Sequence, residues 1–242
     1  MKTEKNPKIS IIIPALNEEK YIGHLLDDIN HNSNKAWEVI VVDNNSKDET
    51  AMVVNNYAKT NPKIKLVQTN KMGPASARNH GARYALAPLF LFLDADTRID
   101  DKFIDLSINE FEKRNLDIAG YYGIPNNKKI FDKLLWKILN IIIYFAQYIY
   151  PMSPGGTGIL IKKDIHKKLK GFDEKKYPNA EDHDYGRRSS KIGRFRIINN
   201  VKPIVNMRRF EKEGYFLVLW KWFIAGLYYI MGNKTKKVYY TY

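Results

Sequence analysis

Four short runs of apolar and β-branched residues occur in the first 94 residues, and their alternation with helix-length stretches constrains the fold more than any other feature. The runs are Lys8–Pro14, Trp37–Asp43, Ile64–Gln68 and Pro88–Asp94. Largely apolar runs of this length are typical of strands that a parallel sheet buries on both faces. The stretches between and after them predict helices from Asn17 to Asn30, over Asp48–Lys59, over Gly73–Leu86 and from Asp100 or Asp101 to Arg114. This order predicts an α/β fold with a doubly wound, mostly parallel central sheet flanked by helices.

The second half of the chain is less regular. Strands are predicted over Leu116–Gly123, Gly158–Ile161, Arg194–Asn199 and Pro203–Met207. Helices are predicted over residues 128–150, Ala180–Lys191 and Gly214–Gly232, and the first and last of these are strongly apolar. The sequence contains no internal repeat and no low-complexity linker, so the change of pattern near Pro125 is the only candidate boundary inside the chain.

The net charge of +14 is distributed unevenly over the 242 residues. Residues 1–125 hold 16 Lys and Arg against 17 Asp and Glu, whereas residues 126–242 hold 24 against 9. A one-sided basic surface attracts phosphate-bearing partners such as nucleotides, nucleic acid or anionic lipid, although solvated lysine-rich helices would give the same count. The absence of cysteine excludes disulfides and thiol catalysis. The charged start MKTEKNPK is unlike a secretory signal peptide, so we expect a cytoplasmic protein.

Polar residues follow three of the predicted strands: Asn17-Glu18, Asp43-Asn44-Asn45 and Asp94-Ala95-Asp96. Ligands of open α/β sheets bind beyond the carboxyl ends of the strands, so we expect these residues to meet in one site. If Asp94 and Asp96 end a strand, they project to the same side of it. Two converging carboxylates repel unless a cation or a proton lies between them, and oxygen ligands suit Mg²⁺ or Mn²⁺. The histidines at positions 24, 31 and 166 have polar neighbours and are expected at the surface.

Seven motifs in a fixed order resemble those of the family 2 glycosyltransferases, which have the GT-A fold. They are IIIPALNEE (11–19), VVDNNSKDET (41–50), KMGPASARNHGA (71–82), FLDADT (92–97), PGGTGILIKK (154–163), KGFDE (170–174) and EDHDYGRR (181–188). The resemblance covers residues 8–200 with order and spacing preserved. It implies an inverting, metal-dependent transfer from a nucleotide-diphosphate sugar, with Mn²⁺ or Mg²⁺ as cofactor.

The resemblance also implies roles for individual residues. The floor for the nucleotide base would be formed by Pro14, Ala15 and Leu16, and Asp43 would accept an N–H of the base edge. The ribose hydroxyls would be bound by Glu18 and Asp94, with Ala95 beside them. The remaining donor contacts would come from Arg78 to the base or the diphosphate, Lys71 to a phosphate, and Gly156 in the loop Gly155–Gly158 to the sugar.

Two further roles concern the reaction centre. The metal would be bound directly by Asp96, and by Asp94 directly or through water, to neutralise the diphosphate leaving group. Asp182, the aspartate of the Glu-Asp pair, would act as general base, while Glu181, Asp184 and Arg188 pair and orient their helix. Many relatives carry a histidine where this chain has Met207-Arg208-Arg209, which leaves the third metal ligand open and supplies Arg208 as a cation near the phosphates.

The predicted function is a single sugar transfer, because no Gln-x-x-Arg-Trp motif of the processive synthases follows. The expected donor is a UDP-sugar or GDP-mannose, and the acceptor a glycan or a polyprenyl-phosphate-linked molecule, with no nucleic acid partner. Residues 1–125 would form the donor-binding half, 126–210 the acceptor-binding half and 211–242 an apolar helix with a basic tail. One alternative is a nucleotidyltransferase, although Pro14–Glu19 lacks the glycine-rich loop that it needs. The other is a non-enzymatic basic module that binds membrane surfaces.

Two apolar helices point to a membrane surface. Residues 215–231 are apolar and aromatic apart from Lys221, and lysines follow at Lys234–Lys237. Residues 138–150 have lysines before them and two amides inside. Both stretches are short for a bilayer span, whereas lysine-flanked aromatic helices suit the headgroup zone. We expect a peripheral protein on the cytoplasmic face of the membrane, bound to anionic lipid; the alternatives are packing against the protein, a homodimer interface or a single span.

Overall fold

The computed structural model describes residues 6–149, 157–175 and 181–230. All four strands predicted in the first half are present, as β1 (Ile9–Ala15), β2 (Trp37–Asp43), β3 (Ile64–Gln68) and β4 (Leu89–Phe92). The helices between and after them are α1 (Ile22–His31), α2 (Thr50–Thr60), α3 (Pro74–Ala82) and α4 (Phe103–Lys113). Every residue of β2 and β4 is buried, Glu38 and Asp43 of β2 included, as predicted for strands of a parallel sheet.

The second half adds shorter elements to the same body. Its strands are β5 (Ile118–Tyr121), β6 (Ile124–Pro125), β7 (Ile159–Lys162), β8 (Phe195–Ile198) and β9 (Ile204–Val205). Its helices are α5 (Ile130–Ile149), α6 (Lys163–Lys168), α7 (Glu181–Ser190), α8 (Arg208–Glu213) and α9 (Tyr215–Ile230). The two short helices α6 and α8 had no counterpart in the sequence pattern. Residues 231–232 and the basic tail lie outside the described residues.

The seven-stranded sheet has the order β3-β2-β1-β4-β7-β5-β8. Its strands are parallel except β7, which runs antiparallel to both β4 and β5. A small parallel pair, β6 and β9, stands beside it. The sheet is therefore mostly parallel, as predicted, and both halves of the chain contribute strands to it. The division at residues 125 and 210 into halves with separate roles stays a prediction.

The core lies on both faces of the sheet because the side chains of β1 alternate between them. Ile9, Ile11 and Ile13 pack with α1 and α4, while Ile12 packs with the layer that contains α3 and α7. The start of β7 demands glycine. Gly158 has a φ of +91°, and a Cβ there would lie 2.8 Å from a Leu93 methyl and 3.0 Å from the Phe92 carbonyl oxygen. The glycine after Thr157 thus lets β7 approach β4.

The second half leaves large apolar side chains in solvent. On α5, Phe131 and Phe145 are 58% and 61% exposed, and on α9 Phe216 is 81% exposed. A small cluster of Trp136, Met207, Phe210 and Val218 ties α5, α8 and α9 together. Among the described residues, no helix has the length and apolarity needed to cross a bilayer.

Candidate active site

The residues predicted to bind the nucleotide lie where β1 and β2 end. The Asn44 amide donates its backbone N–H to the Ala15 carbonyl (2.8 Å), which joins the two strand ends beside Pro14 and Leu16. The buried Asp43 carboxylate accepts the Ser46 backbone N–H at 3.0 Å, which folds the turn and leaves its other oxygen 3.4 Å from the Gln68 amide. The predicted floor, Pro14–Leu16, and Asp43, which is predicted to bind the base, are thus neighbours.

Asn44 was expected near the site, but the sequence assigned it no role, and the structure gives it one. Its side-chain nitrogen donates to the Lys71 carbonyl (2.8 Å), and its oxygen accepts the Gly73 N–H (2.9 Å). These two bonds hold the loop before α3 against the end of β2. The signal was present in the turn sequence after β2, but a turn asparagine has the same sequence context whether or not it clamps a distant loop.

Lys71 has a different partner from the one expected. Its ammonium group forms an ion pair with Glu174, and Asn79 binds the same carboxylate at 2.8 Å. Asn79 also accepts the Phe172 N–H at 2.8 Å and donates to the Phe172 carbonyl at 2.9 Å. In this structure Lys71 therefore closes the KGFDE turn onto α3, so the expected phosphate contact requires the lysine to leave Glu174.

Arg78 is the buried hub of the site. It projects from α3, its side chain is 6% exposed, and its guanidinium nitrogens lie 2.8 Å from Asp94, 3.1 Å from Glu181 and 3.3 Å from Asp182. Burial alone would lower the pKa of Arg78, but these three carboxylates outweigh it and raise the pKa. The guanidinium also lies over the Phe172 ring at 5.4 Å. Arg78 thus joins the carboxyl end of β4 to the start of α7.

Asp94 and Asp96 lie in a turn after β4 instead of ending the strand. The strand stops at Phe92, and the Thr97 N–H donates to the Asp94 carbonyl (3.1 Å) to close the turn. The two-residue strand alternation was therefore the wrong reason for their convergence. The turn sends Asp94 to Arg78 and Asp96 to Arg208, while keeping the carboxylates close enough to repel.

Arg208 closes the other side of the cluster from the start of α8. It binds Glu18 through one nitrogen and Asp96 through another at 3.0 Å, and it lies over the Tyr21 ring at 4.5 Å. Burial raises the pKa of Asp96 to about 7, and Asp94 and Glu18 add to this shift while Arg208 opposes it. Burial likewise raises the pKa of Glu18 against the effect of Arg208.

Asp182 lies in the first turn of α7 beside Glu181. Burial raises the pKa of both carboxyls, since the attraction of Arg78 does not outweigh it. The contact between Asp182 Oδ1 and Arg78 is an ion pair without hydrogen-bond geometry, so that buried oxygen has no donor among the described residues. The predicted pairing of Asp184 with Arg188 is present at 2.6 Å, whereas Glu181 pairs with Arg78 instead.

Two other predictions meet the structure differently. His166 was expected at the surface but is 8% exposed, and its Nδ1 lies 2.6 Å from the Tyr185 hydroxyl. It sits among Phe90, Phe92 and Phe172, beneath the helix that carries Asp182. Its polar sequence neighbours gave no sign of this, because α6 turns one face to the core. Gly156 lies outside the described residues.

The residues present fit a divalent cation. Five carboxylates converge on only two guanidinium groups in the described part of the site; they belong to Glu18, Asp94, Asp96, Glu181 and Asp182. Glu18 Oε2 is buried there without a hydrogen-bond partner. Within the described ranges, no three acidic or histidine side chains could hold a metal by themselves. Mg²⁺ and Mn²⁺ suit such a set, because they take carboxylate oxygens and complete their shell with water and substrate phosphates.

Comparison with known proteins agrees with this geometry. The family model "Glycosyl transferase family 2" matches residues 10–170. A dolichyl-phosphate beta-glucosyltransferase of Trichomonas vaginalis is 39% identical over 104 residues, which is 38% of this chain and 32% of that protein. The poly(ribitol-phosphate) beta-N-acetylglucosaminyltransferase TarS of Staphylococcus aureus is 32% identical over 191 residues, 72% of this chain and 33% of that protein. The chain thus spans about a third of the length of these relatives.

Solved structures share the fold. The crystal structure of S. aureus TarS 1–349 in complex with UDP-GlcNAc superposes with a TM-score of 0.66 at 24% identity, covering 82% of this chain and 58% of that one. A mannosyltransferase from Pyrobaculum calidifontis in complex with GDP-Man and Mn²⁺ superposes with a TM-score of 0.69 at 22% identity, covering 83% and 57%. The predicted fold, an α/β sheet of the GT-A kind, is confirmed.

Proposed function

The chain belongs to glycosyl transferase family 2, and we propose that it transfers a sugar, with inversion, from a nucleotide-diphosphate sugar to a lipid-linked acceptor at the membrane. The observation that carries the proposal is the Arg78 hub, since one buried guanidinium holds Asp94 of the donor motif and Asp182 of the base motif in a single site. A site that joins both motifs has the groups for donor binding and for acceptor activation. Family membership gives no support to a nucleotidyltransferase or a non-enzymatic binding module.

The donor binds along the carboxyl ends of β1, β2 and β4. Asp43 reads the base edge above the Pro14–Leu16 floor, and Glu18 and Asp94 accept hydrogen bonds from the ribose. The diphosphate lies toward Asp96, and Arg208 turns from the carboxylates to the phosphates when the donor enters. A divalent ion held by Asp96 and Asp94 would neutralise charge on the leaving diphosphate. Fold neighbours crystallised with UDP-GlcNAc, or with GDP-Man and Mn²⁺, support these assignments.

Asp182 activates the acceptor. Its buried carboxylate has a raised pKa, and a base is most effective when its pKa approaches the working pH. Its Oδ1 forms an ion pair with Arg78 but accepts no hydrogen bond from a described residue, so it can accept the proton of an incoming hydroxyl. An ionised phosphate needs less help, because its second pKa is about 6. The printed names of two relatives, a dolichyl-phosphate glucosyltransferase and a poly(ribitol-phosphate) enzyme, support a phosphate-bearing acceptor.

The protein acts at the cytoplasmic face of the membrane, to which it binds as a peripheral protein. The support is the exposed apolar side of α5 and α9, where Phe145 and Phe216 are mostly in solvent, together with the net charge of +14. Aromatic side chains beside lysines bind at anionic headgroups. Replacing Phe216 and Trp220 by serine is expected to abolish sedimentation with anionic liposomes. The assignment would be overturned if the serine variants sedimented like wild type. It would also be overturned if wild type were a dimer and the serine variants were monomers.

The transfer itself is tested with a small matrix of substrates. Purified protein with Mn²⁺ is offered UDP-glucose, UDP-GlcNAc or GDP-mannose together with farnesyl phosphate or farnesol, and the product is identified by mass spectrometry and NMR. We expect one donor to support transfer to the phosphate with inverted anomeric configuration. Transfer with retention, or no transfer and no donor hydrolysis in any combination, would refute the proposal.

Asp182→Asn reports on the acceptor. If a hydroxyl is the acceptor, the variant should lose on the order of 10²–10⁴ in turnover, the range of general-base catalysis. If a phosphate is the acceptor, we expect a loss below about tenfold, because the nucleophile is already ionised. The control is the exposed Asp101→Asn, since Asp173 in the turn before α7 accepts the Lys175 N–H at 2.9 Å and supports that turn.

A further inference from the structure

A cavity of about 780 Å³ lies outside the acidic site, between α5 and the segments that follow β5 and β8. We call it the α5 cavity and define it by Tyr122, Trp136, Asn140, Tyr144 and Lys202. Both β4 and β5 pair antiparallel with β7, so their carboxyl ends lie on the same edge of the sheet. Two strand spacings separate β4 from β5, so the ends of these two strands, which precede the Asp94–Asp96 turn and the cavity, lie about 10 Å apart.

Three lysines border the α5 cavity. Lys133 and Lys137 come from α5, and Lys202 from the segment between β8 and β9. All three are exposed, and none forms an ion pair with a described residue. Among the described residues no carboxylate lines the cavity. The cavity therefore attracts an anion from outside the protein. The arginines of the acidic site differ, because carboxylates of the protein already neutralise them.

The rest of the lining is apolar and aromatic. Trp136 forms the inner wall, and Ile141, Tyr144 and Phe145 continue it along α5. Tyr144 and Phe145 are 47% and 61% exposed, so the wall runs without interruption onto the free side of the helix. From Lys133 to Phe145 the helix rises about 18 Å, the length of several isoprene units. The lining thus has a charged end and an apolar end.

The charged end faces the donor. The Trp136 indole N–H donates to Met207 Sδ at 3.1 Å, and Met207 immediately precedes Arg208, which binds Glu18 and Asp96. The other end of α5 runs along β8, where the Gln147 side chain accepts the Ile197 N–H at 3.1 Å. A head group held by the lysines is therefore on the side of the leaving diphosphate, and an apolar chain leads away from it.

Asn140 supplies an unused polar group in the middle of the cavity. Its amide nitrogen donates to the Gly123 carbonyl at 2.9 Å, which fixes the side chain, and its Oδ1 is buried without a partner among the described residues. A buried acceptor without a donor is destabilising. A P–O–H group or a water carried with a phosphate supplies that donor.

We propose that the α5 cavity binds the acceptor, an isoprenoid monophosphate, with its phosphate among Lys133, Lys137 and Lys202 and its first isoprene units against Trp136 and Tyr144. The inference rests on the proposed glycosyl transfer and identifies where its second substrate binds. In the step, a phosphate oxygen forms the bond to the anomeric carbon. The bond from that carbon to the donor diphosphate breaks, and the nucleoside diphosphate leaves with the electron pair. A proton still on the acceptor phosphate passes to solvent or to Asp182.

The first test measures binding without turnover. Farnesyl phosphate, farnesol and inorganic phosphate are titrated separately into the full chain by calorimetry. Farnesyl phosphate should bind at least about tenfold more tightly than either fragment, because it alone engages both ends of the cavity. The triple variant Lys133→Ala, Lys137→Ala, Lys202→Ala should bind it at least about tenfold more weakly than wild type. The matched variant Lys59→Ala, Lys102→Ala, Lys113→Ala changes the same charge on exposed residues elsewhere and should bind like wild type.

The second test locates the ligand. A diazirine analogue of farnesyl phosphate is photolysed on the protein, and labelled peptides are sequenced by mass spectrometry, with the label expected between residues 133 and 145. Labelling elsewhere, or unchanged affinity of the cavity triple, overturns the site even if transfer occurs. Labelling in the cavity by a protein that transfers no sugar supports the site and refutes the proposed function. Inorganic phosphate that binds as tightly as farnesyl phosphate overturns the lipid assignment.

Discussion

The two ends of the sheet's carboxyl edge treat charge in opposite ways. Beyond β1 and β4, five carboxylates surround two arginines in a largely buried cluster. Beyond β5 and β8, three exposed lysines border an apolar cavity and have no acidic partner among the described residues. The ion pairs of the protein itself position the side chains of the acidic end without a ligand. At the lysine end, only an anion from outside the protein could pair with the three lysines.

Because of this difference, we expect substitutions at the two ends to have different effects on stability. Removing one partner of a buried ion pair leaves an uncompensated charge in a poorly solvated place, which is strongly destabilising. Removing an exposed lysine changes little in the folded protein, because water already solvated it. Changes at the acidic end should therefore alter both stability and transfer, and changes at the lysine end should alter only the binding of a ligand.

The largest stability effect is expected for Arg78→Ala. The variant leaves Asp94, Glu181 and Asp182 without their shared cation, so unfolding in urea should show a loss of about 3–5 kcal/mol. The control is Arg98→Ala, which removes a half-exposed pair with Asp28 and should cost at most about 1 kcal/mol. Similar losses for the two variants would contradict the description of Arg78 as a hub.

Asp96→Asn should come next. The amide keeps the shape of the turn but removes the charge that would hold a divalent ion, so transfer should fall about 10²- to 10³-fold. Nucleotide binding measured by calorimetry with Mn²⁺ should weaken as well. The exposed Asp101→Asn serves as the control. Activity of Asp96→Asn near that of wild type would remove the metal from the proposal.

The pH dependence of stability should reveal His166, which supports the helix of Asp182 from below. Burial, with a contribution from Arg188, lowers the pKa of His166 to about 4. The unfolded chain, with a pKa near 6.5, then binds more protons between these values, so stability falls as the pH falls. From pH 7 to pH 5 this group should account for about 2 kcal/mol of lost stability.

His166→Gln tests this assignment. The difference in unfolding free energy between pH 7 and pH 5 should be smaller in the variant by about that amount. His183 is also buried with a lowered pKa and contributes equally to both proteins, so it cancels in the comparison. The exposed His24→Gln should keep the wild-type difference. An unchanged pH difference in His166→Gln would show that folding does not lower the pKa of His166.

The smallest effect is expected at the lysine end. The triple replacement of Lys133, Lys137 and Lys202 by alanine should change the free energy of unfolding by no more than about 0.5 kcal/mol per site. The free energy of unfolding could rise or fall within this range, because the variant also removes repulsion between like charges on one surface. A loss of several kcal/mol, measured in the same urea titration as Arg78→Ala, would mean that the lysines have partners within the protein and would erase the contrast between the two ends.

The strands and most helices followed from the sequence because their signals are local. Residues 37–43 are apolar or β-branched apart from Glu38 and Asp43, and they form β2 with the predicted bounds. The apolar stretch 128–150 forms α5 over Ile130–Ile149. The motifs also predicted Asp43, Arg78, Asp94 and Asp182 as site residues. In the structure, Asp94 and Asp182 both lie within ion-pair distance of Arg78.

Local signals were also misleading where the chain departs from regular geometry. A helix was predicted from Asn17, but Asn17 has a left-handed φ of 56° in the loop, and the helix begins at Ile22. There the Asn17 side chain accepts the Lys47 N–H at 2.8 Å. The strand before Asp94 ends two residues early for a similar reason, because the turn that positions both carboxylates requires non-strand backbone.

The sequence alone predicts the alternation of strands and helices, the acidic character of the strand ends and the basic excess of the second half. Only the tertiary structure decided which charges meet: Arg208 with Glu18 across 190 positions, Lys71 with Glu174, and His166 with Tyr185 in the core. It also decided that β7 enters the sheet antiparallel between β4 and β5, which puts the α5 cavity on the same edge of the sheet as the acidic cluster. The physical reason is range. Backbone preference and periodicity act over a few residues, whereas an ion pair or a cavity wall exists only after distant segments have packed together.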